Sequence, residues 1–184
     1  CLMLIAATGF GQWTDISFPS NCTYKSVQFN NKDTGFIAGG MYNQIFKTLD
    51  GGITWEMKSL GWGFLNVIKF PSMSIGYAAG WSKKVYKTTD MGITWDSLDF
   101  GNIQTIAGMH FLNDTVGYIV CNGGVGYKTS NGGATWQLLN TNTTDHLMGV
   151  FFTSPDTGYI SAYNSILKTT DGGVTWFHAD SGIT

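Results

Sequence analysis

The segment Lys47-Thr-Leu-Asp-Gly-Gly-Ile-Thr-Trp55 decides the fold, because it returns three times. The copies are Lys87-Thr-Thr-Asp-Met-Gly-Ile-Thr-Trp95, Lys128-Thr-Ser-Asn-Gly-Gly-Ala-Thr-Trp136 and Lys168-Thr-Thr-Asp-Gly-Gly-Val-Thr-Trp176. The closing Trp residues are spaced 40, 41 and 40 apart. Upstream, Phe29, Phe70, Phe111 and Phe152 recur every 41 residues. Gly35, Gly76, Gly117 and Gly158 keep the same interval, each followed by Phe or Tyr. A fixed period of this length is the mark of a solenoid or propeller, whose units bury their faces against one another.

Within one unit, turn-forming clusters separate short runs of strand-forming residues. In the first unit the predicted strands are 26–29, 35–38, 44–48 and 54–58, divided by Asn-Asn-Lys-Asp, Gly-Gly and Asp-Gly-Gly. Four antiparallel strands in about 41 residues match a propeller blade. The fold class is therefore all-β, a β-propeller of four-stranded antiparallel blades. The blades fall at about 22–60, 61–100, 101–141 and 142–180. Trp13-Thr-Asp-Ile has the setting of a fourth strand and predicts an N-terminal closing strand at 13–17. Blade four already has a fourth strand of its own. The expectation is thus four blades of a six- to eight-bladed ring, with a closed four-bladed ring as the alternative.

Thr-x-Asp-x-Gly-x-Thr-Trp resembles the Asp-box, the repeat of bacterial neuraminidases, sortilin-type receptors, xyloglucan-degrading glycosidases and photosystem II assembly-factor propellers. The resemblance covers about residues 22–179. It implies the propeller fold and no single activity, since these families share the box and differ in what they do. The box lies on the hairpin between strands three and four. There Asp50, Asp90 and Asp171 can accept hydrogen bonds from turn amides, and Asn131 can do so through its amide oxygen. Gly52, Gly92, Gly133 and Gly173 are expected at positive φ, and Trp55, Trp95, Trp136 and Trp176 to wedge between blades. A catalytic centre is singular, whereas this motif recurs in every blade. These residues read as scaffold.

Composition narrows the function. Of 184 residues 43% are hydrophobic and only 12% charged, about half the usual share, while 25 are Gly. The net charge is −2 and the ten basic residues are all Lys, so no Arg-bearing basic patch exists to track nucleic acid. Residues 1–12 read as the end of a signal peptide, with a lipidated Cys1 as the alternative, and predict a secreted or cell-surface protein. No stretch is long enough for a transmembrane span. Cys22 and Cys121 fall at different points of the repeat and are not expected to pair, and no clustered Cys or His predicts a metal or cofactor.

Function should lie in what does not repeat. Loops joining strands two to three, and blade to blade, share the face opposite the Asp-boxes. On that face stand Tyr42 with Asn43, Trp62, Trp81, Asn122, and Tyr163 with Asn164. Aromatics beside amides suit a glycan or peptide, the ring stacking while the amide orients. The same rings could instead plug the channel or cover loop backbone. Asp145 and His146, in the longest connection, are an adjacent acid and imidazole with no nucleophile beside them, and read as solvated loop residues.

Sialidases grip the substrate carboxylate with arginines, and this chain has none. A glycosidase needs two facing carboxylates, yet Glu56 is the only Glu and follows a box Trp. That leaves Asp99 and Asp145, both expected in blade-to-blade loops. No catalytic residue is assigned. The leading expectation is an exported, non-catalytic scaffold binding a protein or carbohydrate on the face opposite the boxes. A glycoside hydrolase with acids in further blades and a photosystem-assembly-factor-like propeller are the alternatives.

Overall fold

A computed structural model of the chain describes residues 22–82, 84–99 and 104–179. The expected signal segment and the strand at 13–17 lie outside them. Among the described residues, sixteen strands form four separate four-stranded antiparallel sheets. Blade 1 holds β1 (Tyr24–Phe29), β2 (Gly35–Gly39), β3 (Gln44–Thr48) and β4 (Glu56–Ser59), and blade 2 holds β5 (Leu65–Lys69), β6 (Gly76–Gly80), β7 (Lys84–Thr88) and β8 (Asp96–Asp99). Blade 3 holds β9 (Ile106–Phe111), β10 (Gly117–Cys121), β11 (Gly126–Thr129) and β12 (Gln137–Leu139). Blade 4 holds β13 (Leu147–Phe152), β14 (Gly158–Ala162), β15 (Ile166–Thr169) and β16 (Phe177–His178). Each sheet runs in chain order, and successive first strands pack on one another. This is the propeller arrangement the repeat predicts.

Several strand boundaries depart from expectation, β1 starting at Tyr24 and not Ser26 and β2 ending at Gly39 and not Ala38. The fourth strand of blade 1 starts at Glu56, not Thr54, because Thr54 is tied back to Asp50 within the box turn. Asp99 ends β8, paired with Lys84, instead of lying in the following connection.

The core sits between blades, with one apolar cluster at each of the three joints. Phe36, Ala38 and Ile45 of blade 1 pack with Leu65, Ile68 and Phe70 of blade 2. Val67, Tyr77, Ala79 and Val85 of blade 2 pack with Ile106, Met109 and Ile119 of blade 3. Tyr118, Val120 and Leu139 of blade 3 pack with Leu147, Val150, Phe152 and Trp176 of blade 4. The recurring Phe and Gly are explained at these joints. Each Phe ring lies over the Gly that opens the next strand; a Cβ at Gly35 would come within 2.5 Å of Phe29, and one at Gly117 within 2.3 Å of Phe111. The aromatic after each Gly then stacks on the Phe of the following blade: Phe36 on Phe70 at 3.9 Å, Tyr77 on Phe111 at 4.0 Å, Tyr118 on Phe152 at 3.8 Å. The box Trp meets that Phe edge-on at about 6 Å, as in Phe70–Trp95 and Phe152–Trp176. Trp176 is fully buried, whereas Trp55, Trp95 and Trp136 are half-buried.

Candidate binding face opposite the Asp-boxes

The box turns consume their own polar groups. Thr48, buried at the end of β3, accepts hydrogen bonds from Gly52 N (2.9 Å) and Asp50 N (3.3 Å) and donates to Asp50 Oδ1 (2.7 Å). Asp50 in turn accepts from Thr54 N at 2.9 Å and Thr54 Oγ1 at 2.5 Å. The aspartate accepts a turn amide as expected, that of Thr54, while the turn glycine amide goes to the threonine, a share the expectation did not include. Thr88, Thr129 and Thr169 repeat the role. Hydrogen bonding, chiefly from the partner threonines Thr54, Thr94 and Thr175, holds the carboxyls of Asp50, Asp90 and Asp171 down at about 2. In the third box Asn131 Oδ1 accepts from Thr135 N at 2.9 Å, while its Nδ2 donates to Thr135 Oγ1 at 2.8 Å. Gly52, Gly92, Gly133 and Gly173 take φ between 78° and 94°. Met91 stands at φ 60° where the other three boxes have Gly51, Gly132 and Gly172.

On the other face the loop of blade 1 is welded to the connection into blade 2. Tyr42 and Gly63 form a parallel bridge, with Asn43 N donating to Gly63 O at 3.0 Å and Gly63 N to Met41 O at 3.2 Å. Asn43 takes φ 47° and is fully buried. Its Nδ2 donates to Trp62 O and to Tyr86 Oη, at 3.2 and 3.0 Å. Asn43 is therefore a brace under the loop and does not present its amide to a ligand. What it braces is exposed: Tyr42 and Trp62 meet edge-on at 5.5 Å, and Trp62 is 69% accessible. Beside them Trp81 leans on Phe64 at 5.2 Å, its amide donating to Phe64 O at 2.8 Å, and is 61% accessible. Both tryptophans are exposed. Met41 is exposed next to them.

The remaining expected residues stand on blades 3 and 4. Tyr163 and Asn164 are exposed at the corresponding loop of blade 4. Asn122 is half-buried in a short 3-10 turn (Asn122–Gly124), its amide donating to Thr105 O. That turn is also held by His146, whose Nδ1 accepts from Gly123 N at 3.0 Å. His146 thus serves the loop's architecture, and Asp145 N is bound by Thr143 Oγ1. Glu56 is exposed on β4, at the box end of the strand farthest from β1 in the sheet. No disulfide joins Cys22 to Cys121, and burial pushes the Cys121 thiol up to about 12. Among the described residues, no helix is long and apolar enough to cross a membrane.

A solved YCF48 bound to D1 peptide is similar in fold, with a TM-score of 0.58 and 17% identity over 89% of this chain and 84% of that one. YCF48 from Cyanidioschyzon merolae gives a TM-score of 0.73 and 20% identity over 90% of this chain; the match spans only 58% of that chain. The GH74 enzyme of Niastella koreensis gives 0.66 and 21% identity over 81% of this chain and 28% of the enzyme. A search of curated proteins finds no match. The family model described as photosynthesis system II assembly factor YCF48 matches residues 5–145, well over half of the 184. By that match, and by the Asp-box blades that carry it, the chain belongs to the YCF48-type family of photosynthesis system II assembly factors.

Proposed function

We propose that this propeller is a non-catalytic scaffold, working outside the cytoplasm, that binds a protein partner on the face opposite the Asp-boxes. The observation that carries the reading is the platform of Tyr42, Trp62 and Trp81, large rings held out to solvent on a backbone locked by Asn43 and the Tyr42–Gly63 bridge. Pre-ordered aromatics lose little entropy on binding, and Trp and Tyr dominate the energetics of protein interfaces. Family membership supports a protein partner, as does the neighbour solved with a peptide bound. With no Arg in the chain, recognition would run through apolar stacking and backbone hydrogen bonds, not through grip on carboxylates. Export rests on the apolar stretch that opens the sequence, and finding the protein in the cytoplasmic fraction of its source cell would refute it.

The test is to probe a tiled peptide array and a glycan array with the chain and with its Trp62→Ala and Trp81→Ala variants. A peptide signal is expected, and loss of either ring should weaken it by about 30-fold, the hot-spot scale of about 2 kcal/mol. Signal on glycans alone would move the function to carbohydrate binding. Signal on neither array, or signal indifferent to both substitutions, would overturn the platform as the site.

A further inference from the structure

Two Asn-Gly pairs occur in the chain, Asn122-Gly123 and Asn131-Gly132. An Asn-Gly pair is open to loss of side-chain ammonia, because glycine puts no Cβ in the path between its own nitrogen and the asparagine side-chain carbonyl. The reaction needs a side-chain amide free to turn, a following nitrogen free to approach it, and a base to take that nitrogen's proton. The fold treats the two pairs oppositely on all these counts.

Asn131 lies in the third box with both ends of its amide committed. Its Oδ1 accepts from Thr135 N at 2.9 Å and from Thr129 Oγ1 at 3.1 Å, and its Nδ2 donates to Thr135 Oγ1 at 2.8 Å. Gly132 is buried, and a Cβ there would come within 3.0 Å of Asp114 O. Its N–H donates to the carbonyl of Thr115 at 2.9 Å, an acceptor that is no base. That pair is locked.

Asn122 opens the short turn after β10, on the face opposite the boxes. Its side-chain amide makes no hydrogen bond among the described residues. Gly123 is exposed at φ 73°, with nothing within 4 Å of where a Cβ would stand, so its peptide has room to swing. Its N–H donates to His146 Nδ1 at 3.0 Å. A neutral imidazole with its proton on Nε2 accepts there, and imidazole is the commonest general base in proteins. The ring is held in place by its own backbone: Tyr163 N donates to His146 O at 3.0 Å, and the next residue, Leu147, is fully buried.

We propose that Asn122-Gly123 is a self-modification site with His146 as its general base. Gly123 N bonds to Asn122 Cγ as its proton passes to His146 Nδ1. The tetrahedral carbon then expels the side-chain nitrogen, which takes that proton from the imidazole and leaves as ammonia. The succinimide so formed adds one water at either carbonyl, giving an aspartyl or an isoaspartyl residue. Either product places a carboxylate where Asn122 carries a neutral amide, and the isoaspartyl form lengthens the backbone of the turn by one methylene. The negative charge falls on the face opposite the boxes.

The test is peptide mass spectrometry of the full chain incubated for days at neutral pH. Cleavage after Lys128 puts the two Asn-Gly pairs on separate fragments. Asn122 is expected to convert, with both products present, while Asn131 of the same molecule stays intact and reports that the fold is kept. His146→Gln retains an acceptor for Gly123 N–H but no basic nitrogen, and should slow the conversion by about 100-fold, the low end of what general acid–base catalysis contributes. Conversion of Asn122 no faster than that of Asn131 in the parent chain overturns the inference without any variant. A rate unchanged or raised in His146→Gln overturns it too, since the imidazole then only braces the turn.

Discussion

The two faces of this propeller handle their loops in opposite ways. On the box face four hairpins are built alike, and their polar side chains are spent on the turn itself: Thr48 on Gly52 N, Asp50 on Thr54, and so through each blade. On the other face the described loops share one opening bond, as Trp81 N to Phe64 O and Tyr163 N to His146 O, and then diverge. One is a bridge to the blade connection, another is a 3-10 turn held by His146, and aromatic rings stand in solvent. Repetition here coincides with saturated hydrogen bonding around exposed aliphatic side chains such as Ile53 and Val174, and variety with exposed aromatic rings. A surface whose donors and acceptors are satisfied internally is a poor place to recognise anything. The exposed rings opposite are where binding free energy is still available.

If the contrast is real, the same residue type should matter very differently on the two sides. Tyr118→Ala removes a ring stacked on Phe152 and a bond to the box carbonyl of Gly172, and should cost about 3–5 kcal/mol, the range for a fully buried aromatic. Tyr163→Ala, in an exposed loop of the opposite face, should change stability by less than about 0.5 kcal/mol. Urea denaturation of the two variants decides it; equal losses would break the comparison.

The box threonine sharpens it further. Thr48→Val keeps the shape but leaves the Gly52 amide without its acceptor in a buried turn, and is expected to cost about 1–3 kcal/mol by the same measurement. Ser59→Ala, which removes a side-chain bond to Tyr42 O on the exposed side, should fall at about 0.5 kcal/mol or below. A Thr48→Val variant as stable as the parent would mean that the aspartate alone carries the turn.

How much of this was legible beforehand follows from the same division. The Phe, Gly and Trp periods place all four blades, because each is a packing requirement met at every joint: Gly35 must lack a Cβ for Phe29 to lie over it. The positive φ of the box glycines was likewise readable, since the turn admits few other residues. The threonine's part was hidden although it is printed in the motif; a hydroxyl reads as an ordinary β-forming residue until its burial is known. On the variable face the residue types were readable and their directions were not. Tyr42 and Asn43 are neighbours in sequence, yet the bridge to Gly63 turns one ring outward while Asn43, at φ 47°, points its amide beneath the loop. Nothing periodic encodes that choice. Of the two residues expected at a binding surface, Tyr42 is exposed and Asn43 is buried.

The smallest expected effect compares boxes within the one face. Three carry an aspartate whose carboxyl is held at about 2, below the ordinary value of about 4, and the third box carries Asn131. A carboxyl with a lowered folded-state pKa contributes stability that is complete above its unfolded value and disappears as pH falls through the folded one. The urea midpoint should therefore hold steady down to about pH 4 and decline toward about pH 2. Because these carboxylates sit at the surface, solvent screening keeps the decline shallow. Replacing Asp50, Asp90 and Asp171 together by Asn would give every box the chemistry of Asn131, whose oxygen accepts from Thr135 N while its nitrogen donates to Thr135 Oγ1. That variant should keep its fold at neutral pH and lose part of the acid slope. An unchanged slope would place the acid sensitivity in other carboxylates. A variant unfolded at neutral pH would show that the amide in blade 3 is tolerated only there.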